Sequence, residues 1–135
     1  MAEASQQAKV TGATPYLTVK GGKAAIAFYK KAFGAEEVMM MPAKDGERVM
    51  HAHLMINGGP VLLSDEFPEH MGGPMPPPSG VTIHLQVDDA DKWAKRAGEA
   101  GATITMPVAD MFWGDRYGQL KDPFGHSWSI GSSKK

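Results

Sequence analysis

Hydrophobic and polar positions change period several times along the chain, and each change marks an element. "TPYLTV" (Thr14–Val19) alternates, which predicts a strand with Pro15, Leu17 and Val19 on its apolar face and Thr14, Tyr16 and Thr18 on the other. "GKAAIAFYKKAF" then carries Ile26, Tyr29 and Phe33 at helical spacing, with Gly34 as its stop. Strands follow over Glu37–Met41, Arg48–Asn57 and Pro60–Asp65, joined by the hairpin-type turns in "AKDGE" and "NGG". In the middle strand Met50, Ala52, Leu54 and Ile56 form the apolar face, leaving His51, His53 and Met55 opposite.

The pattern then restarts. "PEHMGGPMPPPSG" (Pro68–Gly80) is rich in Pro and Gly and reads as an irregular linker. "VTIHLQV" (Val81–Val87) alternates, with Val81, Ile83, Leu85 and Val87 apolar and Thr82, His84 and Gln86 opposite. A helix with an acidic start, "DDADKWAKRAGEAGA", stops at Gly101, and three more strand candidates lead to Ile130; in the last, Trp128 and Ile130 face inward. Thr14, Leu17 and Val19 match Thr82, Leu85 and Val87, each shifted by 68 residues, and both helices end in Gly-Ala. The shared order makes a duplication of one βαβββ unit the better reading. The predicted fold class is α+β, with two βαβββ modules. The boundaries are a flexible tail over 1–10, a first module over 11–67, a linker over 68–80, a second module over 81–131 and a tail over 132–135. The apolar faces must pack on the two helices, and the opposite faces belong to one concave surface if the sheet curls.

Composition removes several function classes. A chain of 135 residues with 42% hydrophobic and 21% charged positions is one ordinary globular domain. The net charge is −1 with no basic stretch, so nothing points to nucleic acid or an anionic membrane. No apolar run has the length of a membrane span, and the polar start carries no signal-peptide core, so a cytoplasmic location is expected. The absence of cysteine excludes disulfides and thiolate zinc sites, and any metal would need His and carboxylate ligands. Ten methionines, including Met39-Met40-Met41, suit core packing or an adaptable pocket wall.

"TPYLTVKGGKAAIAFYKKAFGA", "VTIHLQVDDADKWAKRAGEAGA" and "FWGDRYGQLKDPFGHSWSI" together resemble the vicinal oxygen chelate superfamily, the glyoxalase and bleomycin-resistance fold, from about Thr11 to Ile130. "LSDEFPE" and "FWGDRYG…DPFGHSW" are similar, more narrowly, to its PhnB-like branch. The resemblance implies a cupped mixed sheet, commonly completed in a homodimer. In metal-using members it implies a divalent ion held by a His early in a module's first strand and a Glu in its last. The matching positions here are Thr14, Thr82 and Ser129, with the first module's counterpart near Leu63 or Ser64. Hydroxyls are poor ligands beside imidazole and carboxylate, so the usual metal site reads as replaced.

Two clusters remain as candidates. Tyr16, His51, His53, His84 and Gln86 fall on the non-core faces, and Trp113, Arg116 and Tyr117 lie in "FWGDRYG", where an aromatic and a guanidinium offer a stacking surface and an anion fork. The plainer reading of that turn is a hinge with Asp115 and Arg116 paired on the surface. His126 shares core parity with Trp128, and His70 lies in the linker. The preferred reading is a protein that binds a small organic molecule, with no cofactor expected. The alternatives are a metal-dependent, glyoxalase-like lyase or isomerase using a displaced site of His51, His53 and His84 with Asp65 or Glu66, and a non-catalytic dimerisation module.

Overall fold

The structure is a computed structural model that describes residues 10–134. Its elements are β1 (Tyr16–Val19), α1 (Gly22–Phe33), β2 (Glu36–Pro42), β3 (Val49–Ile56), β4 (Gly59–Asp65), α2 (Pro68–Met71), β5 (Thr82–Gln86), α3 (Ala90–Ala100), β6 (Thr103–Asp110), β7 (Asp115–Lys121) and β8 (Ser127–Ser133). The strands form two sheets of identical order, β1-β4-β3-β2 and β5-β8-β7-β6. In each, the first and last strands of the module pair in parallel and the other pairs are antiparallel. The α+β fold of two βαβββ modules is therefore observed. Nine residues of the tail expected over 1–10 lie outside the described residues.

By contact the chain divides into two compact units: the chain up to Lys30 with Gly34–Pro76, and Lys31–Phe33 with Pro77–Lys135. In the first unit Leu17, Val19, Ala52, Leu54 and Ile56 are buried, as the alternation predicts, and Val61 and Leu63, opposite Leu54 and Ala52, are buried with them. In the second, α3 packs on β6, β7 and β8, and Leu85, Leu120, Trp128 and Ile130 are buried. Phe33 lies against Trp128 there, ring centroids 4.8 Å apart. Among the described residues no helix is long and apolar enough to cross a membrane.

Four local expectations are corrected. Met50 is exposed, because the ladder slips between Met41↔His51 and Pro42↔Val49, which leaves Met50 as the extra residue of a bulge. Val81 is exposed because β5 begins only at Thr82. The linker is not wholly irregular: Pro68–Met71 makes one helical turn, with Pro near its start and Gly72 in the left-handed region at its end. The chain end is not all tail, since β8 runs to Ser133 and the buried Ser132 accepts the Ala90 N–H at 3.1 Å.

The helix starts are built differently. Asp89 caps α3 by accepting the Lys92 N–H. No side chain of its own N-cap caps α1, which follows Gly21 at φ 95. Its first N–H groups donate to Asp65, Gly21 at 2.7 Å and Gly22 at 2.9 Å, and Val49 N donates to the same carboxylate at 2.7 Å. This packs Gly22 hard against the carboxylate: a Cβ there would lie 2.6 Å from Asp65 Oδ2 and 2.7 Å from Val49 Cβ. Gly22→Ala is expected to destabilise the fold by about 2 kcal/mol, a typical overpacking cost, read as a lower urea midpoint at unchanged slope.

Arg48, at the mouth of β3, pairs with Asp45 and Glu69, both at 2.7 Å, and lies over the Phe67 ring. Asp45 is held down to about 2, first by the Arg48 backbone N–H and then by its guanidinium. Glu69 is held down to about 2, chiefly by its hydrogen bond from Arg48. Folding lowers both, so their contribution to stability is present above the ordinary carboxylate range near pH 4 and is lost as pH falls towards 2. NMR titration should find both midpoints near 2; Arg48→Ala should return Glu69 towards 4, while Asp45, which keeps its backbone N–H donors, should rise less.

Candidate functional site

Strand alternation and register decide which side chains of the second sheet share a face. His84 stands opposite Ser129, and Ser129 opposite Gln119; Gln86 stands opposite Gly131, and Gly131 opposite Tyr117. The two rows lie side by side on the face away from Leu85, Leu120, Trp128 and Ile130. Their polar groups are already joined. His84 Nδ1 shares a 2.7 Å hydrogen bond with Ser129 Oγ, and His84 Nε2 one of 2.7 Å with Gln86 Oε1. Gln119 Nε2 donates to the Tyr117 hydroxyl at 3.0 Å. Tyr117 stacks on His84 at an interplanar angle of 20°, and Trp113 meets the Tyr117 ring edge-on at 5.5 Å.

An amide oxygen only accepts, so His84 Nε2 carries the proton towards Gln86 and Nδ1 receives the Ser129 hydroxyl. A serine donating to an imidazole is the first half of a nucleophilic pair. Here Ser129 is only 2% exposed, so the arrangement locks the ring rather than presenting a nucleophile. The lock needs Gly131. A Cβ at that position would lie 3.0 Å from His84 Cε1 and 3.1 Å from Gln86 Oε1. Gly131→Ala should break the His84–Gln86 hydrogen bond at a stability cost of about 1 kcal/mol, because the crowded atoms end flexible side chains. The His84 ring resonances in NMR would report it.

The first sheet holds the other expected residues. Tyr16 and His51 share a 2.8 Å hydrogen bond through the hydroxyl and Nδ1. His53 lies on the same strand face but is only 7% exposed, and its Nε2 has no hydrogen-bond partner. Burial, and then His51 beside it, lower the His53 pKa. These residues form a cluster of their own in the first unit, whereas His84, Gln86, Trp113, Arg116 and Tyr117 belong to the second.

Arg116 does not offer an anion fork. Its guanidinium is held by Asp91 and Asp110, each at 2.8 Å, and not by the neighbouring Asp115. The rest of that segment is a tight turn. Gly114, at φ 97, closes it by donating to the Met111 carbonyl, which leaves Phe112 97% and Trp113 50% exposed. "DPFG" is a turn closed by Gly125 N to Asp122 O, and Asp122 also accepts from Phe124, His126 and the buried Trp128 indole. His126 is thus tied by its backbone into this turn, and His70 is exposed at the end of α2.

The positions at which the resembled family holds its metal are committed elsewhere. Thr14 donates its hydroxyl to the Thr11 carbonyl, Thr82 stands opposite Ser127 rather than Ser129, and Ser129 is committed to His84. Leu63 is fully buried in the core. The displaced alternative also lacks donors. Both nitrogens of His84 are engaged, Asp65 is taken by three backbone N–H groups, and Glu66 accepts the Met75 N–H and pairs with Lys20. Among the described residues no three His, Cys, Asp or Glu side chains are grouped to hold an ion. The donor set does not fit the family's divalent site.

Two open grooves lie elsewhere. One, of about 460 Å³, is lined by Lys20, Lys23, Arg48, Asp65 and Glu66, and another, of about 410 Å³, runs between α3 and β6. Neither touches a histidine. Sequence reasoning missed Gly131 and Gln119. Their signal was available, since both share strand parity with Ser129 and Tyr117.

Residues 10–130 match the family model of the Glyoxalase/Bleomycin resistance protein/Dioxygenase superfamily. The chain belongs to this superfamily. An uncharacterised protein of Mycobacterium bovis is 46% identical over 123 residues, covering 87% of this chain and 80% of that one. Protein PA1353 of Pseudomonas aeruginosa superposes with a TM-score of 0.74 at 26% identity, covering 93% of this chain and 99% of that one. A PhnB protein from Bacillus cereus shares the fold with a TM-score of 0.70 at 20% identity, covering 91% and 100%. The superfamily and the glyoxalase fold read from the sequence agree with these findings.

Proposed function

We propose that this superfamily member binds a small organic molecule on the outer face of its second sheet, without a metal. The observation that carries the reading is the half-exposed Trp113, edge-on to a Tyr117 that stacks on the doubly hydrogen-bonded His84. Aromatic groups of this kind, set beside fixed polar atoms, supply contact area at little ordering cost. The ligand class that fits is planar and heteroaromatic, with edge groups that meet His84 and Gln86. An anionic ligand is disfavoured because the cation in this region, Arg116, is neutralised by two carboxylates. In this reading the protein works as a homodimer, supported by the exposed Ile104 and Met106 on the edge strand β6. Sedimentation tests that part.

The lyase or isomerase alternative lacks its carboxylate. Turnover of a glutathione–methylglyoxal adduct would nonetheless overturn the binding reading. The direct experiment is a thermal-shift screen of planar heteroaromatic compounds on the whole protein, followed by Trp113→Ala. A saturable stabilisation weakened about tenfold, or about 1.4 kcal/mol, in that variant is the expected result. A screen without any response, or a response indifferent to Trp113→Ala, would refute it.

A further inference from the structure

The first sheet carries a second chemistry, on residues that the organic-ligand reading does not need. On β2 and β3 the register is Met39↔His53, Met40↔Ala52 and Met41↔His51, and the two ladder shifts fall outside this stretch. Directly opposed residues in a sheet point to the same face, so Met39 and Met41 share a face with His51 and His53. Their Cβ atoms lie about 4.5–5.5 Å apart across the strands. Two thioethers and two imidazoles are thus gathered on one patch of sheet.

We propose that this patch, built from Met39, Met41, His51 and His53, binds a soft monovalent cation, Cu(I). Thioether sulfur is a soft donor that favours Cu(I), and imidazole is a good companion ligand, while a hard ion such as Mg²⁺ would find no oxygen donors among the four. Such a site needs no cysteine and no carboxylate.

Two further observations point to a ligand here. His53 Nε2 is buried without a hydrogen-bond partner. A buried nitrogen left unpaired is costly and calls for an explanation, and a bound cation supplies one. His51, in turn, is oriented from behind. With Tyr16 on its Nδ1, the ring keeps Nε2 for an ion, the arrangement in which an outer hydrogen bond fixes a metal-binding imidazole. Met39 and Met41 are 38% and 50% exposed, so their sulfurs are not committed to a core. Methionine's unbranched chain lets them adjust to the ion.

The test is an anaerobic competition in which the whole protein is titrated against the coloured Cu(I)–bicinchoninate complex. The expected result is withdrawal of one Cu(I) per chain, with affinity reduced at least about 30-fold in the double variant Met39→Leu/Met41→Leu. These swaps keep side-chain volume, and the melting temperature checks that the fold is retained. Met71→Leu, on exposed α2, serves as the control and should leave binding unchanged. No withdrawal of copper would overturn the proposal. So would withdrawal insensitive to the double variant, or an equal loss in the control. Equal binding of Zn²⁺ would also overturn it, since a divalent borderline ion gains far less from neutral thioethers than Cu(I) does. All of these variants lie outside the second sheet, so failure here leaves the organic-ligand reading to its own experiment.

Discussion

Asp65→Ala is expected to lower the unfolding free energy by about 4 kcal/mol, enough to leave a chain of this size only marginally folded. The carboxylate is 4% exposed and accepts from Gly21, Gly22 and Val49 at 2.7–2.9 Å. It therefore ends β4, starts α1 and anchors the mouth of β3 at once. Removing it strands N–H groups in a buried place, each at a cost of about 1–3 kcal/mol. It also withdraws the negative charge from a helix N-terminus, worth up to about 1 kcal/mol more. Urea denaturation at neutral pH measures the loss. A change below 1 kcal/mol would show that water replaces the carboxylate freely.

Trp128→Ala should cost a similar amount, about 4 kcal/mol, for a different reason. The indole is completely buried in the second unit, against Phe33, and donates to Asp122 Oδ2 at 2.9 Å. Truncation leaves a cavity of most of a side chain and an acceptor without its donor. Trp128→Phe separates the two contributions, because it keeps the ring and loses the N–H. An expected cost of about 2 kcal/mol for that variant assigns the larger share to the cavity. Near-UV circular dichroism of both variants reports whether the surrounding packing survives.

Much of this architecture was written in the period of the sequence. Alternation over Thr14–Val19 and Val81–Val87, helical spacing in between, and Gly34 and Gly101 as stops gave the repeated module, because burial on one face forces these patterns. Parity alone could not show Met50 turning outward, since a bulge depends on how β2 and β3 slip against each other. Nor could it show that Asp65 serves the backbone rather than an ion, because its three donors come from two distant segments. Of the candidate site, some neighbours were legible: Tyr16 meets His51 in the first unit, and His84 meets Gln86 and Tyr117 in the second. What the sequence could not show was the rest of the partnering. Ser129 was readable only as a lost ligand, although it holds His84, and the charge of Arg116 is cancelled by Asp91 and Asp110, 25 and 6 positions away.

The central claim is a metal-independent organic-ligand surface on the second sheet. Its most direct test is calorimetric titration of chelator-treated protein with the best planar heteroaromatic compound from the thermal-shift screen, repeated in His84→Ala and Trp113→Ala. The account predicts one site whose affinity survives the chelator and falls about tenfold or more in each variant. Binding that disappears with the chelator, or that neither substitution weakens, would contradict it.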